Sequence, residues 1–239
     1  MRLRATTALA AVLLCLAPAA SRADLASYTQ NFEALVQADP AALANDNWKV
    51  FGNVFTPTFG YLYGYGVFPA PNGTPGFCSV AAGQGGPTQG AQQIVVYSDY
   101  NNGDHANGNL IEANVFQEQT VGAANVGQAW IFSFDAKLGD LVPPTTALAF
   151  IKTLNPAAGY ATTNFLTLAT HTLPTTWGTY SIAINIDASL VGQILQFGFA
   201  STATNYTPSG VLYDNISFQQ DTPVSTRSTT WGRMKALYR

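Results

Sequence analysis

Charged residues and cysteines are scarce in this sequence. Only 10% of the 239 residues are charged, and cysteine occurs twice. Residues 24–220 hold three lysines, no arginine and twelve acids, a formal charge of −9. Proteins that bind nucleic acids need a basic surface to neutralise phosphates, so this composition excludes that class.

The amino terminus has the order of a secretory signal peptide. Arg2 and Arg4 precede the apolar run Ala8–Ala17, and small residues flank a cleavage position after Ala23. We therefore expect a signal peptide over 1–23 and a secreted protein, either extracellular or periplasmic. The apolar run is too short to span a bilayer, and no later run reaches 18 apolar residues, so no transmembrane segment is expected.

Removal of the signal peptide leaves Cys78 as a single cysteine, because Cys15 lies within the removed segment. No internal disulfide is then possible. An exported chain of this kind must be held together by its hydrophobic core or by a metal ion.

Short alternating runs dominate residues 24–220, which we expect to form one domain. In Trp177–Ile186, for example, apolar and polar residues alternate with the period of a half-buried strand. The absence of helical spacers favours an all-β fold, a two-sheet antiparallel β-sandwich of the jelly-roll type. The one helical stretch is Pro40–Asn45. Eleven strands are predicted: Ser27–Phe32, Trp48–Phe55, Tyr61–Phe68, Gln92–Ser98, Leu110–Val121, Gln128–Leu138, Ala147–Leu154, Asn164–His171, Trp177–Ile186, Ile194–Ser201 and Val211–Gln219.

The tail, residues 221–239, differs in composition and carries a formal charge of +3. If 229–239 were helical, four apolar side chains would line one side: Trp231, Met234, Leu237 and Tyr238. Eleven residues are marginal as an isolated helix. The tail is thus either a frayed basic terminus or a segment that docks on a cell-surface or sorting partner.

Catalytic motifs are poorly represented. The chain has no G-x-S-x-G element, and the loop GQGGPTQG lacks the ending that cradles phosphate. Glu112 and Glu118 face the same side of one predicted strand, roughly 20 Å apart, which is too far for a glycosidase pair. A partner for Glu118 on another strand, Glu33 or Asp135, stays open. The sequence favours a protein that is not an enzyme.

A row of tyrosines suggests a glycan platform. Strict alternation would place Tyr61, Tyr63 and Tyr65 on one face of a strand. Such a row would suit a glycan, because aromatic faces stack on the CH patches of sugar rings. The alternative is that these rings serve as core packing or as loop cover. Three further residues are expected to line the same groove: Trp48, Gln117 and Gln119.

Four segments, in this order, resemble jelly-roll carbohydrate-binding modules of families 4 and 9, which are galactose-binding-domain-like sandwiches. They are YTQNFEAL, VFQEQTVGAANVGQAWIFSFDAK, WGTYSIAI and GVLYDNISF, and together they span residues 28–219. The resemblance implies the fold and suggests glycan binding. Residues 56–109, rich in Gly, Pro and Asn, are longer than the matching part of such modules.

A structural calcium ion is also expected. The twelve acids, with few cations to pair with them, offer oxygen ligands for a hard cation. Because no disulfide links the chain, a bound cation would also help to hold the fold together. The resemblance implies that Glu33 and Asp214 hold calcium where the first and last strands meet. Otherwise Glu33 is a surface residue and Asp214 belongs to a strand-end turn. A second oxygen-rich loop is offered by Asp99, Asn101 and Asp104.

The sequence therefore favours a secreted, non-catalytic module that binds a polysaccharide or glycan and contains a structural calcium site. Two alternatives stay open: an extracellular surface, matrix or adhesion protein, and, less favoured, a glycan-active enzyme.

Overall fold

A computed structural model describes residues 24–204 and 206–222 of the chain. The predicted signal peptide and almost all of the basic tail lie outside these residues. None of the helices in the described part is long and apolar enough to cross a membrane.

Within residues 24–204 and 206–222 the chain forms twelve strands, one short α-helix and four single-turn 3₁₀ helices. The strands are β1 (Tyr28–Gln30), β2 (Lys49–Phe55), β3 (Tyr61–Pro69), β4 (Cys78–Ala82), β5 (Gln92–Val96), β6 (Leu110–Thr120), β7 (Ala129–Leu138), β8 (Thr146–Asn155), β9 (Ala161–Ala169), β10 (Gly178–Asn185), β11 (Ile194–Thr204) and β12 (Val211–Gln220). The α-helix, α1, is Ala42–Asn45, and the 3₁₀ helices are Gly103–Asn107, Ala123–Asn125, Pro156–Ala158 and Ala188–Leu190.

Two antiparallel sheets make a sandwich, which confirms the predicted fold. The first sheet has the order β10-β7-β12-β5-β4, and β1 pairs with β12 beyond a bulge. The second sheet has the order β3-β2-β6-β11-β8-β9. All eleven predicted strands are present, and β4 is an additional one that the sequence pattern did not indicate.

Alternation along the strands supplies the aromatic core between the sheets. On β7, Phe132 and Phe134 face inward with Trp130 and Ala136. Across the sandwich, the rings of Phe197 and Phe218 stack with centroids 4.3 Å apart. Aromatic packing of this kind adds specific contacts to the burial of apolar area and fixes how the two sheets face each other.

Cys78, at the start of β4, is fully buried, and its thiol donates to the carbonyl of Pro71 over 3.3 Å. Burial raises the pKa of this thiol, so it stays protonated. Its role in the fold is that of a small hydrophobic residue.

Candidate functional site

A cleft of about 700 Å³ lies on the outer face of the second sheet, the face directed away from the core. One side is lined by Tyr61 and Val67 of β3, an edge strand. The other side is lined by Leu154, Tyr160 and Thr162 from the β8–β9 hairpin. Its walls are therefore supplied by the two edges of the sheet.

The β8–β9 turn holds Tyr160 out from the sheet. Asn155 caps the 3₁₀ turn Pro156–Ala158 by accepting a hydrogen bond from the amide of Ala157 over 3.0 Å. Gly159 and Tyr160 then both adopt positive φ values, 64° and 63°. The side chain of Tyr160 is 61% exposed and lines the wall of the cleft.

The floor of the cleft contains buried aromatic side chains although it faces outward. Phe116 and Phe150 form a small cluster with Ala200, separate from the main core. Gly198 lies opposite both phenylalanines in the strand register. A Cβ atom at Gly198 would lie 2.2 Å from the carbonyl oxygen of Val115, so this position has no room for a side chain.

A row of polar side chains on three neighbouring strands lies next to these rings and ends at a further aromatic ring on β9. The register aligns Glu118 of β6, Gln196 of β11, Lys152 of β8 and Phe165 of β9. Glu118 accepts a hydrogen bond from Gln196 over 2.9 Å and forms an ion pair with Lys49 at 2.9 Å. The floor thus combines fixed carboxylate, amide and ammonium groups with aromatic surface.

Lys152 lies over two aromatic rings. Its Nζ atom is 4.9 Å from the ring centroid of Phe150 and 5.3 Å from that of Phe165. Burial lowers the pKa of this ammonium group, and the charge of Glu112 opposes that change in part. The cation is therefore partly desolvated within a cleft.

Glu112 and Glu118 lie on the same face of β6, as the alternation predicted. Glu112 accepts hydrogen bonds from Asn53 over 2.8 Å and from Asn114 over 2.9 Å. Both carboxylates are therefore held in place by donors from neighbouring side chains.

The tyrosine row is divided between the two faces of β3. A register irregularity separates the pair Phe55–Tyr61 from the pair Val54–Tyr63. Tyr61 contacts the outward ring of Phe55, and its hydroxyl approaches Gly64 on the cleft side. Tyr65 instead lies over Gly52 on the core side. The prediction that three tyrosines share one face is corrected, because a bulge reverses the alternation after Tyr61.

Tyr63 and Tyr65 are fixed by acids of the loop that follows β5. The hydroxyl of Tyr63 donates to Asp104 over 2.5 Å, and that of Tyr65 donates to Asp99 over 2.7 Å. Asp99 also accepts from the amide of Asn101 over 3.1 Å. The loop predicted as a second calcium site uses its carboxylates to hold these tyrosines.

The three residues expected beside the tyrosines lie elsewhere. Trp48 is fully buried, and its Nε1 donates to Asp46 over 3.2 Å. Gln117 lies on the core side of β6 and donates to the carbonyl of Asp46 over 2.7 Å. Gln119 exchanges hydrogen bonds with the backbone of Ala26. Their placement in a glycan groove is corrected, because each side chain serves the core or the amino-terminal segment.

A second cluster lies on the outer face of the first sheet. Asp214 of β12 is opposite Asp135 of β7. On the other side of β12, Tyr213 pairs with Ile94 of β5, so the preceding residue of β5, Gln93, lies beside Asp214. Gln89 donates to Asp135 over 2.7 Å, and Gln93 donates to the carbonyl of Gln89 over 2.8 Å. The loop before β5 therefore covers the two aspartates.

Three buried oxygen atoms of this cluster have no hydrogen-bond partner: Asp214 Oδ2, Gln89 Oε1 and Gln93 Oε1. All three are acceptors. Burial, with the nearby charges of Asp135 and Glu33, raises the pKa of Asp214 to about 7. Buried acceptors without donors are costly, at about 1–3 kcal/mol each.

Glu33 lies at the edge of the same cluster. Its Oε1 accepts hydrogen bonds from the amides of Ala91 and Gln92 over 2.8 and 2.7 Å. Among residues 24–204 and 206–222, no group of three or more His, Cys, Asp or Glu side chains is arranged to hold a metal ion. A cation here would need the glutamine oxygens as well as carboxylates, and neither Gln89 nor Gln93 was predicted as part of a site from the sequence.

Five residues of the cleft were not predicted as site residues from the sequence: Phe51, Phe116, Lys152, Tyr160 and Gln196. Glu118 was considered only as one carboxylate of a glycosidase pair. A signal was present in β6, where Glu112, Asn114, Phe116 and Glu118 alternate on one face. Polar and aromatic residues on the outward face of a central strand are the pattern to look for. No local signal indicated Tyr160.

No protein-family model and no curated protein matches the sequence. Similar solved structures include the active domain of tailspike protein 4 from Bacteriophage CBA120, with 12% identity and a TM-score of 0.45 over 78% of this chain. Another is a family 16 carbohydrate-binding module, with 11% identity and a TM-score of 0.41 over 60% of this chain and 86% of that one. A third is the xylan-binding domain from Paenibacillus barcinonensis Xyn10C, with 10% identity and a TM-score of 0.35 over 62% of this chain and 88% of that one.

The chain spans only 21% of the tailspike structure. Carbohydrate-binding modules recur among the similar structures, as the sequence resemblance implied. The three TM-scores given are all below 0.5.

Proposed function

We propose that the protein is a non-catalytic glycan-binding module and that its binding site is the cleft on the outer face of the second sheet. The observation that carries this proposal is the combination of aromatic walls with a polar floor. Tyr61 and Tyr160 line opposite walls, and Asn53, Gln196 and Glu118 line the space between them.

This arrangement suits the chemistry of sugars. A pyranose ring has apolar CH patches that stack on aromatic faces, and its hydroxyls need amide and carboxylate partners. The cleft volume falls within the range of about 300–1,000 Å³ that is common for ligand sites. Tyr61 is 62% exposed and Tyr160 is 61% exposed, so both rings are available for stacking.

Replacement of the wall tyrosines tests the proposal. Tyr61→Ala and Tyr160→Ala should each weaken polysaccharide binding about fivefold, because an aromatic stacking contact contributes about 1 kcal/mol. Affinity electrophoresis across a panel of polysaccharides measures the effect.

Tyr206→Ala is the matched control, since Tyr206 is 50% exposed, has a positive φ like Tyr160, and lines a different groove. Its binding should equal that of the wild type. Loss of binding in Tyr206→Ala with none in Tyr61→Ala and Tyr160→Ala would contradict the choice of cleft.

We further propose a structural calcium ion held by Asp214 and Glu33 with amide oxygens of Gln89 and Gln93. The fit is supported by the three unpartnered acceptor oxygens, since a hard cation prefers oxygen ligands and would satisfy acceptors that have no donor. It is also supported by the pairing of β1 with β12, which brings the first and last strands together.

Export is the third part of the proposal. The order of basic, apolar and small residues at the amino terminus supports removal of residues 1–23. Amino-terminal sequencing of exported protein should therefore begin at Asp24. Exported protein that retains Arg2 and Arg4 would contradict the proposed cleavage.

The alternative of a surface or matrix protein is favoured by one feature. The edge strand β3 exposes Leu62, Val67 and Phe68 by 46%, 48% and 51%. Exposed apolar groups on an edge strand favour contact with another protein. Self-association in sedimentation, together with no binding to any polysaccharide, would favour this alternative.

A further inference from the structure

Lys152 differs from the other described lysines in having no polar partner. Lys49 forms an ion pair with Glu118, and Lys137 donates to Gln84 over 3.4 Å. In the part of the chain that the structure describes, Lys152 makes no ion pair and no hydrogen bond, although it lines the cleft. The rings of Phe150 and Phe165 are its close neighbours.

The nearby acids are already engaged. Glu118 is held by Lys49 and Gln196, and Glu112 is held by two asparagine amides. Lys152 is therefore a cation whose charge-assisted hydrogen bonds are available to a ligand. Such bonds are about twice as strong as those between neutral groups.

Partial desolvation increases the gain from an anion at this position. A charge that has already lost water on folding has less hydration to give up when a ligand arrives, and its attraction to an opposite charge is less screened. The chain carries few cations, three lysines against twelve acids over 24–220, and Lys152 lies at the floor of the candidate site.

We propose that the cleft binds an anionic glycan and that a carboxylate or sulfate of one sugar pairs with Lys152. This inference rests on the proposed function and specifies its ligand class. The sugar ring would stack on the wall tyrosines while its anionic group reaches the polar row at Lys152.

Two polymer pairs test the proposal with the wild-type protein. Polygalacturonate is compared with its methyl-esterified form, and a sulfated galactan with the neutral galactan. Binding to at least one anionic polymer should be about tenfold tighter than to its neutral counterpart, because a hydrogen-bonded charge pair is lost in the neutral polymer. The pair that shows the difference identifies carboxylate or sulfate as the anion.

Lys152→Met removes the charge and keeps an unbranched apolar stem over Phe150 and Phe165. It should abolish the preference, so that the anionic polymer and its neutral counterpart bind with equal affinity. Lys137→Met is the matched control, because Lys137 also lies over an aromatic ring, that of Trp177 at 5.3 Å, on the other sheet. It should retain the preference, and thermal melting confirms that both variants are folded.

Equal binding to anionic and neutral polymers would overturn this inference and leave the proposed function standing. Equal loss of preference in Lys152→Met and Lys137→Met would also overturn it, because the effect would then reflect net charge alone. Failure to bind any polymer would overturn both this inference and the proposed function.

Discussion

Calcium should raise the melting temperature of the wild-type protein, and Asp214→Asn should abolish that rise. The reason is the group of three buried acceptor oxygens without donors on Asp214, Gln89 and Gln93. A cation that binds only the folded chain stabilises it by about 2.7 kcal/mol at a hundredfold excess over the dissociation constant.

The same substitution should have a different effect in metal-free protein. Without calcium, the folded state must bury Asp214 close to Asp135 and Glu33, and this environment raises the pKa of Asp214 to about 7. Asparagine removes the charge and supplies a donor. In chelator, Asp214→Asn should therefore be at least as stable as the wild type, whereas in calcium it should be less stable.

Asp140→Asn is the control for a general effect of charge. Asp140 accepts a hydrogen bond from the amide of Gly210 over 2.9 Å, which an asparagine oxygen can also accept. Its calcium-dependent rise in melting temperature should match that of the wild type. A wild-type melting temperature that is the same in calcium and in chelator would rule out the structural calcium site.

Gly198→Ala should lower the free energy of unfolding by about 2 kcal/mol, as overpacking of a filled interior does. A Cβ atom there would meet the backbone of Val115 and Phe116 at 2.2 and 2.7 Å. β11 is hydrogen-bonded to β6 and β8 along its length, so the strand cannot shift without loss of ladder bonds. Urea unfolding measures this change in stability, and the m value should stay the same as in the wild type.

Gly103→Ala provides the comparison, because a Cβ at Gly103 would have no heavy atom within 4 Å. Its stability should stay within about 0.5 kcal/mol of the wild type. If Gly198→Ala unfolds at the same urea concentration as Gly103→Ala, the close packing described for the cleft floor is incorrect.

The strands were predictable where alternation was sustained. On β10 the alternation of apolar and polar residues was identified correctly, because burial of one face requires that period. The strand β4 was missed because its five residues lie within the Gly- and Pro-rich stretch 56–109. Its pairing with β5 depends on tertiary contacts that no local pattern reports.

The candidate site was less predictable for two physical reasons. A bulge changes the face of every later residue in a strand, and alternation alone could not show one after Tyr61. Trp48 was predicted to start a strand and to line the groove, but it precedes β2 and lies in the core, a placement that depends on tertiary packing. The neutral oxygens of Gln89 and Gln93 carry no sequence signature for a cation.

A crystal structure of the protein with a bound oligosaccharide would show whether the outer-face cleft is the glycan-binding site. The ligand should be a glycan that the wild-type protein binds in affinity electrophoresis. The sugar should lie on the outer face of the second sheet, between Tyr61 and Tyr160 and above Phe116. A sugar bound instead against Tyr97, Tyr100 and Tyr206, in the groove of the first sheet, would contradict this placement.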